Sequence, residues 1–312
     1  MTAAMPRTVE QYLDLLRAEL QGADPALVQD ALYDAEEHLR AELAQNPGET
    51  EETMLSSIVA SYGAPGEVAD AYRTNEARVQ AALRTPPPAP KHSALGRFFG
   101  IYADPRAYLS LAYMVLALAT GILYFTVAIT GSMMSVGLAI LIIGIPFFLL
   151  FIGTTRVLAL AEGRIVESML GTRMPRRPVH PGPPANWMTR VVDMLKDPRT
   201  WGTLLYQFMM LPLGVFYFVF AVVGVVVSVA LVVAPIVVLL YYGGMITIDG
   251  TVESPHPALL PLVSILGIVL LTITLHLSRG IGYLHGQLAK FLLVRAPRTA
   301  DETDATEAAV PA

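Results

Sequence analysis

Along the first 84 residues, apolar positions recur at helical spacing between short polar breaks. Val9, Tyr12, Leu13, Leu16 and Leu20 form one stripe behind Thr8, whose spacing to Gln11 is that of a capping box. Asp24-Pro25 opens a second helix, an N-cap followed by proline in the first helical position, with Val28, Ala31, Leu32, Ala35, Leu39 and Leu43 on one face. Asn46-Pro47-Gly48 breaks it. A third, short helix follows Thr50, carries Met54, Leu55, Ile58 and Tyr62, and stops at Gly63. Pro65 restarts the chain into a fourth helix with Val68, Ala69 and Tyr72, running to about Leu83. The proline-rich stretch from Thr85 to His92 is a semi-rigid linker, and residues 85–98 separate a domain over 1–84 from the remainder.

Beyond the linker the pattern changes to long apolar runs. Ala107–Thr130 and Ser132–Thr154 contain no Asp, Glu, Lys, Arg or His, so each is long enough to cross a hydrocarbon core of about 30 Å. Thr130-Gly131-Ser132 reads as the tight turn between them. Further runs cover Trp201–Tyr242 and about Ala258–Leu277. The run from Trp201 exceeds one straight span, which leaves a tilted helix broken near Pro235 or a re-entrant segment. At an offset of 93 residues the two blocks match: Asp104-Pro105-Arg106 with Asp197-Pro198-Arg199, Tyr113 with Tyr206, Gly121 with Gly214, Tyr124 with Tyr217, and Gly131 with Gly224. Arg156, Glu162, Gly163 and Leu170 echo Arg279, His285, Gly286 and Leu293. The expectation is an internal parallel repeat over about 104–171 and 197–294. Each half is then a pair of crossings followed by an amphipathic helix on the membrane surface.

Composition agrees with a membrane chain. Of 312 residues, 54% are apolar and 15% charged, with mean hydropathy +0.52; a soluble protein carries about 25% charge. The absence of cysteine excludes disulfides, a thiol nucleophile and thiolate metal sites. Residues 1–84 have net charge −9 and the rest +4, and an acidic front domain argues against nucleic acid as a partner. Eight Lys/Arg lie in Arg156–Arg199 and none in Gly243–Pro257, so the positive-inside rule puts both termini and the central segment in the cytoplasm, with an even number of crossings, four being simplest. The acidic tail, 296–312, reads as disordered.

Chemistry-bearing candidates are few. No phosphate-binding loop, dinucleotide fingerprint, nucleophile elbow or zinc-protease motif occurs, and no cofactor or metal is expected. Glu36-Glu37-His38 invites a metal reading, but adjacent helical residues point in different directions. His276 is the ionisable residue inside an apolar run. The outward segment contains Asp249-Gly250 between β-formers, a hairpin signal, with Glu253 beside it. Arg173, Arg176 and Arg177 fix topology and attract anionic lipid; they also present a basic surface on which the acidic domain is expected to dock.

The N-terminal residues resemble the HAAS signalling domain of bacterial membrane proteins. The likeness rests on Tyr12-Leu13-x-x-Leu16, Asp34-x-Glu36-Glu37-His38 and the junction Tyr62-Gly63-Ala64-Pro65-Gly66-Glu67-Val68-Ala69, with Tyr62 where that family has leucine. The rest resembles the bacterial "putative sensor" domain through Leu211-Pro212-Leu213-Gly214, Tyr217-Phe218 and Ala234-Pro235. These resemblances imply an all-α, non-enzymatic, multi-pass protein of the bacterial inner membrane. It would meet lipid and pass an envelope or membrane signal to a cytoplasmic protein partner or a second copy of the chain. The alternative is a transporter or permease accessory subunit, against which stand spans without buried charges.

Overall fold

The computed structural model describes residues 6–45, 50–83, 93–138, 144–177, 187–243 and 259–294, and every regular element among them is helical. Helices α1 (Val9–Glu19), α2 (Pro25–Gln45), α3 (Glu51–Tyr62) and α4 (Pro65–Leu83) form the N-terminal bundle. Local chemistry sets their ends. The Thr8 side chain accepts from the Gln11 amide, Asp24 Oδ1 from the Ala26 amide and Thr50 Oγ1 from the Thr53 amide, each satisfying a donor the helix leaves unpaired. Gly63 ends α3 at φ +112°, a backbone conformation that side chains resist. The stripes meet in one core of Tyr12, Leu16, Leu20, Ala31, Leu39 and Leu55. Tyr12 keeps its hydroxyl satisfied by donating to the Gly63 carbonyl at 2.9 Å, which ties α1 to the α3–α4 junction.

After α5 (Ala94–Phe98) and a 3-10 turn (Phe99–Ala103) comes a bundle of four helices long and apolar enough to cross a membrane. These are α6 (Pro105–Leu138), α7 (Gly144–Leu170), α9 (Pro198–Tyr242) and α10 (Leu260–Leu293); α8 (Trp187–Lys196) lies between the pairs. Their outer faces expose Leu123, Val219, Val226 and Ile265, which in a multi-pass protein are covered by lipid. At about 1.5 Å per residue, the 45 residues of α9 extend some 67 Å, more than twice the hydrocarbon core.

Three sequence expectations are corrected here. Thr130-Gly131-Ser132 is not a turn: α6 continues to Leu138, and Gly131 lies inside it with the Phe151 ring where a Cβ would stand. The glycine signal was one of close helix packing. No break occurs at Pro235, since α9 is one helix through Pro212 and Pro235. The stretches after Arg156 and Arg279, expected as separate surface helices, are instead the continuous ends of α7 and α10, which run unbroken to Leu170 and Leu293.

Positions that match between the halves make matching contacts. A Cβ on Gly121 would stand 2.5 Å from the Met210 carbonyl oxygen, and one on Gly214 would stand 2.3 Å from that of Ala117, so α6 and α9 touch backbone to backbone. Asp104 pairs with Arg279 at 2.5 Å and Asp197 with Arg156 at 3.7 Å, each joining one half to the other. The proline linker, the segment 244–258 with Asp249 and Glu253, and the tail lie outside the described residues.

Candidate functional site: an arginine clasp and a buried polar cluster

Helix α7 ends at Gly171, whose φ of +73° turns the chain back on itself. The residues that follow, Thr172 to Arg177, pack under the membrane bundle with Thr172, Arg173 and Met174 buried. Met174 fills a gap beside Gly163, and Thr172 lies against Gly286. Arg173 therefore projects from a strap held by its two neighbours.

The Arg173 guanidinium reaches the N-terminal bundle. Its Nη2 donates to Asp30 Oδ2 at 2.9 Å and its Nε to Glu76 Oε2 at 3.2 Å, while Nη1 bonds the Met174 carbonyl and lies 3.6 Å from Glu167. Arg173, Asp30 and Glu76 are all less than a tenth exposed. Burial works against the guanidinium charge, yet Glu76, Asp30 and Glu167 outweigh it and raise its pKa. Around this hub, Asp30 Oδ1 accepts from the Arg176 and Arg177 amides at 2.7 and 2.8 Å, and Gln29 donates to the Arg177 carbonyl at 2.6 Å. Arg177 pairs with Asp34 at 2.9 Å and stacks over Tyr33; Arg176 pairs with Glu167 at 3.1 Å; Lys290 of α10 pairs with Asp24 at 2.5 Å. A cleft of about 340 Å³ adjoins the hub and the Arg176 and Arg177 pairs, lined by Asp34, Tyr72, Asn75 and Arg164 as well as Arg173, Asp30 and Glu76, so water and ions reach this side of the clasp.

The second constellation lies inside the membrane bundle. Glu162 of α7 is fully buried and His285 of α10 almost so. Glu162 Oε1 accepts from Tyr113 at 2.6 Å and Tyr206 at 2.9 Å, and Oε2 from Tyr124 at 2.9 Å. His285 Nε2 lies 2.5 Å from the Tyr113 hydroxyl and 3.0 Å from that of Tyr206, and Nδ1 lies 3.1 Å from that of Tyr217. Tyr113 enters about two turns into α6 and Tyr124 about five, so their hydroxyls converge from both sides within the span. The expectation of spans without buried charges is thereby corrected.

The sequence candidates are distributed unevenly. Arg173, Arg176 and Arg177 come together on the acidic face of α2 and α4. His276 is exposed, bonds the Phe98 carbonyl at 2.9 Å through Nε2 and stacks on the Phe98 ring, fastening α5 to α10. Asp249 and Glu253 fall outside the described residues. Tyr62, Gly63, Pro65, Val68 and Ala69 form the α3–α4 corner, where Tyr62 stacks on His38, so the third member of Glu36-Glu37-His38 turns to a ring contact. Reading the helices after Arg156 and Arg279 as surface helices hid Glu162 and His285. Their alignment with each other, beside two aligned tyrosine pairs, was the signal that could have found them.

The family model described as "Putative sensor" matches residues 113–293, and the HAAS model matches residues 11–71. Neither is an enzyme family. No curated protein and no solved structure matches the chain. The Arg173 strap and all six residues of the buried cluster lie within the first match, and the Asp30 and Asp34 face within the second. The chain thus belongs to the "Putative sensor" family, as a multi-pass membrane protein with a HAAS domain ahead of its sensor domain.

Proposed function

We propose that the protein relays a state of its membrane bundle to the cytoplasm by docking and releasing the HAAS domain. The observation that carries this reading is the Arg173 clasp, a buried guanidinium shared by Asp30 and Glu76 of one domain and Glu167 of the other. Breaking a buried ion pair by removing one partner costs roughly 3–5 kcal/mol, enough to define a docked state. Most of the pairs around it sit on a wet rim, where screening keeps each one weak and the docking reversible. Release would free the Asp30, Asp34 and Glu76 face for a cytoplasmic protein or a second copy of the chain.

In this reading the strap and both termini are cytoplasmic, as the basic residues of Arg156–Arg199 favour, and the membrane is the inner membrane of a bacterial cell. Transport is the weaker reading. The groups at the heart of the bundle are in direct contact at 2.5–3.1 Å, which leaves no space between them for a solute.

A photo-crosslinker placed at Asn75 in the full chain, in cells, tests the relay. The expected result is crosslinking to the chain's own 164–177 segment. Arg173→Glu should move the adducts to another protein or a second copy. Identical adducts with and without the substitution would contradict the relay.

A further inference from the structure

Ionisable groups within the membrane bundle are sparse. Helices α6 and α9 carry no Asp, Glu, Lys, Arg or His beyond Arg106 and Arg199 near their N-termini, so they face the interior with tyrosines. On α7, Arg156 is taken by Asp197, Glu167 by Arg173 and Arg176, and Arg164 bonds the Arg176 carbonyl. On α10, Arg279 is taken by Asp104, Lys290 by Asp24 and His276 by the Phe98 carbonyl. Glu162 and His285 are left facing each other across Tyr113 and Tyr206.

A count of hydrogens constrains what these groups hold. Each tyrosine has one hydroxyl hydrogen. With Glu162 as the carboxylate, Tyr113 and Tyr206 both give theirs to it, and His285 Nε2, in contact with the same two oxygens, is then the group placed to donate to them. Tyr217 then either donates to a bare Nδ1 or accepts from a protonated one. The first state is a carboxylate beside a neutral imidazole, with net charge −1 in a dry interior. The second has one more proton and is neutral, as is the tautomer with the proton on Glu162. An uncompensated charge within a membrane bundle is costly, and one proton removes it. Six groups in direct contact admit no ligand larger than that.

The halves match at this site too. Tyr113 and Tyr206 each touch both Glu162 and His285, Tyr124 touches Glu162, and Tyr217 touches His285. Among these three pairs of aligned positions, the one chemical difference is an acid against a base. We propose that Glu162 and His285 form a binding site for a single exchangeable proton, bridged by the Tyr113 and Tyr206 hydroxyls. Uptake adds one proton from water to the pair; nothing is oxidised and no other bond breaks.

The site also adjoins the strap. Gly163, next to Glu162, lies against Met174, and Gly286, next to His285, lies so close to Thr172 that a Cβ would stand 2.2 Å from its Oγ1. Thr172 and Met174 flank Arg173. Resting on the relay reading, the proton is thus placed to bias HAAS docking through the two neighbours of the clasp.

The test uses the full-length protein in lipid nanodiscs with ring-15N histidine, His285 being identified by the signals lost in His285→Gln. Between about pH 5 and 9 the expected result is a one-proton change. It should appear on the His285 nitrogens or, where the proton settles on the acid, as an infrared carboxylic-acid band that Glu162→Gln abolishes. If the change is on His285, Glu162→Gln should lower its midpoint by about one unit or more, a tenfold loss of proton affinity. Neither signal changing in the unmodified protein, or a His285 midpoint indifferent to Glu162→Gln, would overturn the site. A spin-label distance between α4 and α10 measured over the same range should change with the proton. A constant distance alongside a titrating pair would leave the proton site standing and overturn its coupling to docking.

Discussion

Arg173 and Glu162 are both buried ionisable residues, one just past the end of α7 and one within it, yet they are held in opposite ways. Arg173 sits among three carboxylates beside a wet cleft, and its partners come from two domains. Glu162 accepts from three neutral tyrosines in a dry interior, and the cationic form of its counterpart, His285, exists only when protonated. The first is a contact that salt and charge reversal attack. The second, shut away from solvent ions, is the one proposed to answer to protons. A relay needs both kinds: a tight site that registers a state and a labile one that reports it.

The largest effect should come from Arg173→Met, which leaves Asp30, Glu76 and Glu167 uncompensated. Roughly 3–5 kcal/mol of docking is expected to disappear, read as faster hydrogen exchange in α4 and in the 171–177 strap. Arg177→Met, which removes the more exposed Asp34 pair on the cleft rim, should cost under about 1 kcal/mol by the same readout. Equal losses would erase the distinction between hub and rim.

Within the bundle, Gly214→Ala forces a Cβ onto the Ala117 carbonyl and should cost roughly 1–3 kcal/mol by overpacking. Gly153→Ala, at a helical position with open space around it, should be neutral or slightly stabilising. Thermal melts in detergent separate the two. Tyr124→Phe takes a donor from Glu162 and should cost about 1–3 kcal/mol, without altering the salt dependence of docking.

The smallest effect is alkaline. Burial raises the pKa of Tyr12, Tyr62 and Tyr72, and Asp34 adds to the shift at Tyr62 and Tyr72. Groups whose folded pKa lies above the unfolded value of about 10 stabilise the fold fully below that pH and lose the contribution as pH rises through the folded values. The helicity of the N-terminal bundle should therefore be flat from neutral pH to about 10 and decline above it.

Much of the fold was legible because its signals are local. Thr8, Asp24, Thr50, Gly63 and Pro65 mark helix ends by chemistry that acts within one turn. Gly131 misled because a glycine needed against Phe151 on another helix looks, in sequence, like a glycine needed for a turn. Glu162 and His285 were hidden because charge in an amphipathic stretch reads as surface, and only α6 and α9 supply the tyrosine hydroxyls that make burial tolerable. Arg173, Arg176 and Arg177 were visible as a basic surface opposite an acidic domain. Which of them would be the hub depends on Thr172 and Met174 seating against glycines far along the chain, which no local pattern encodes.

The central claim is that HAAS docking is a reversible electrostatic clasp on Arg173. Spin labels at Glu37→Cys and Phe291→Cys, both exposed positions in a chain without native cysteine, report the distance between the domains. The account predicts one short, narrow distance at low ionic strength. That distance should lengthen and broaden as salt shortens the Debye length below about 8 Å, and Arg173→Glu should lengthen it at low salt. A distance unchanged by both salt and Arg173→Glu would contradict it.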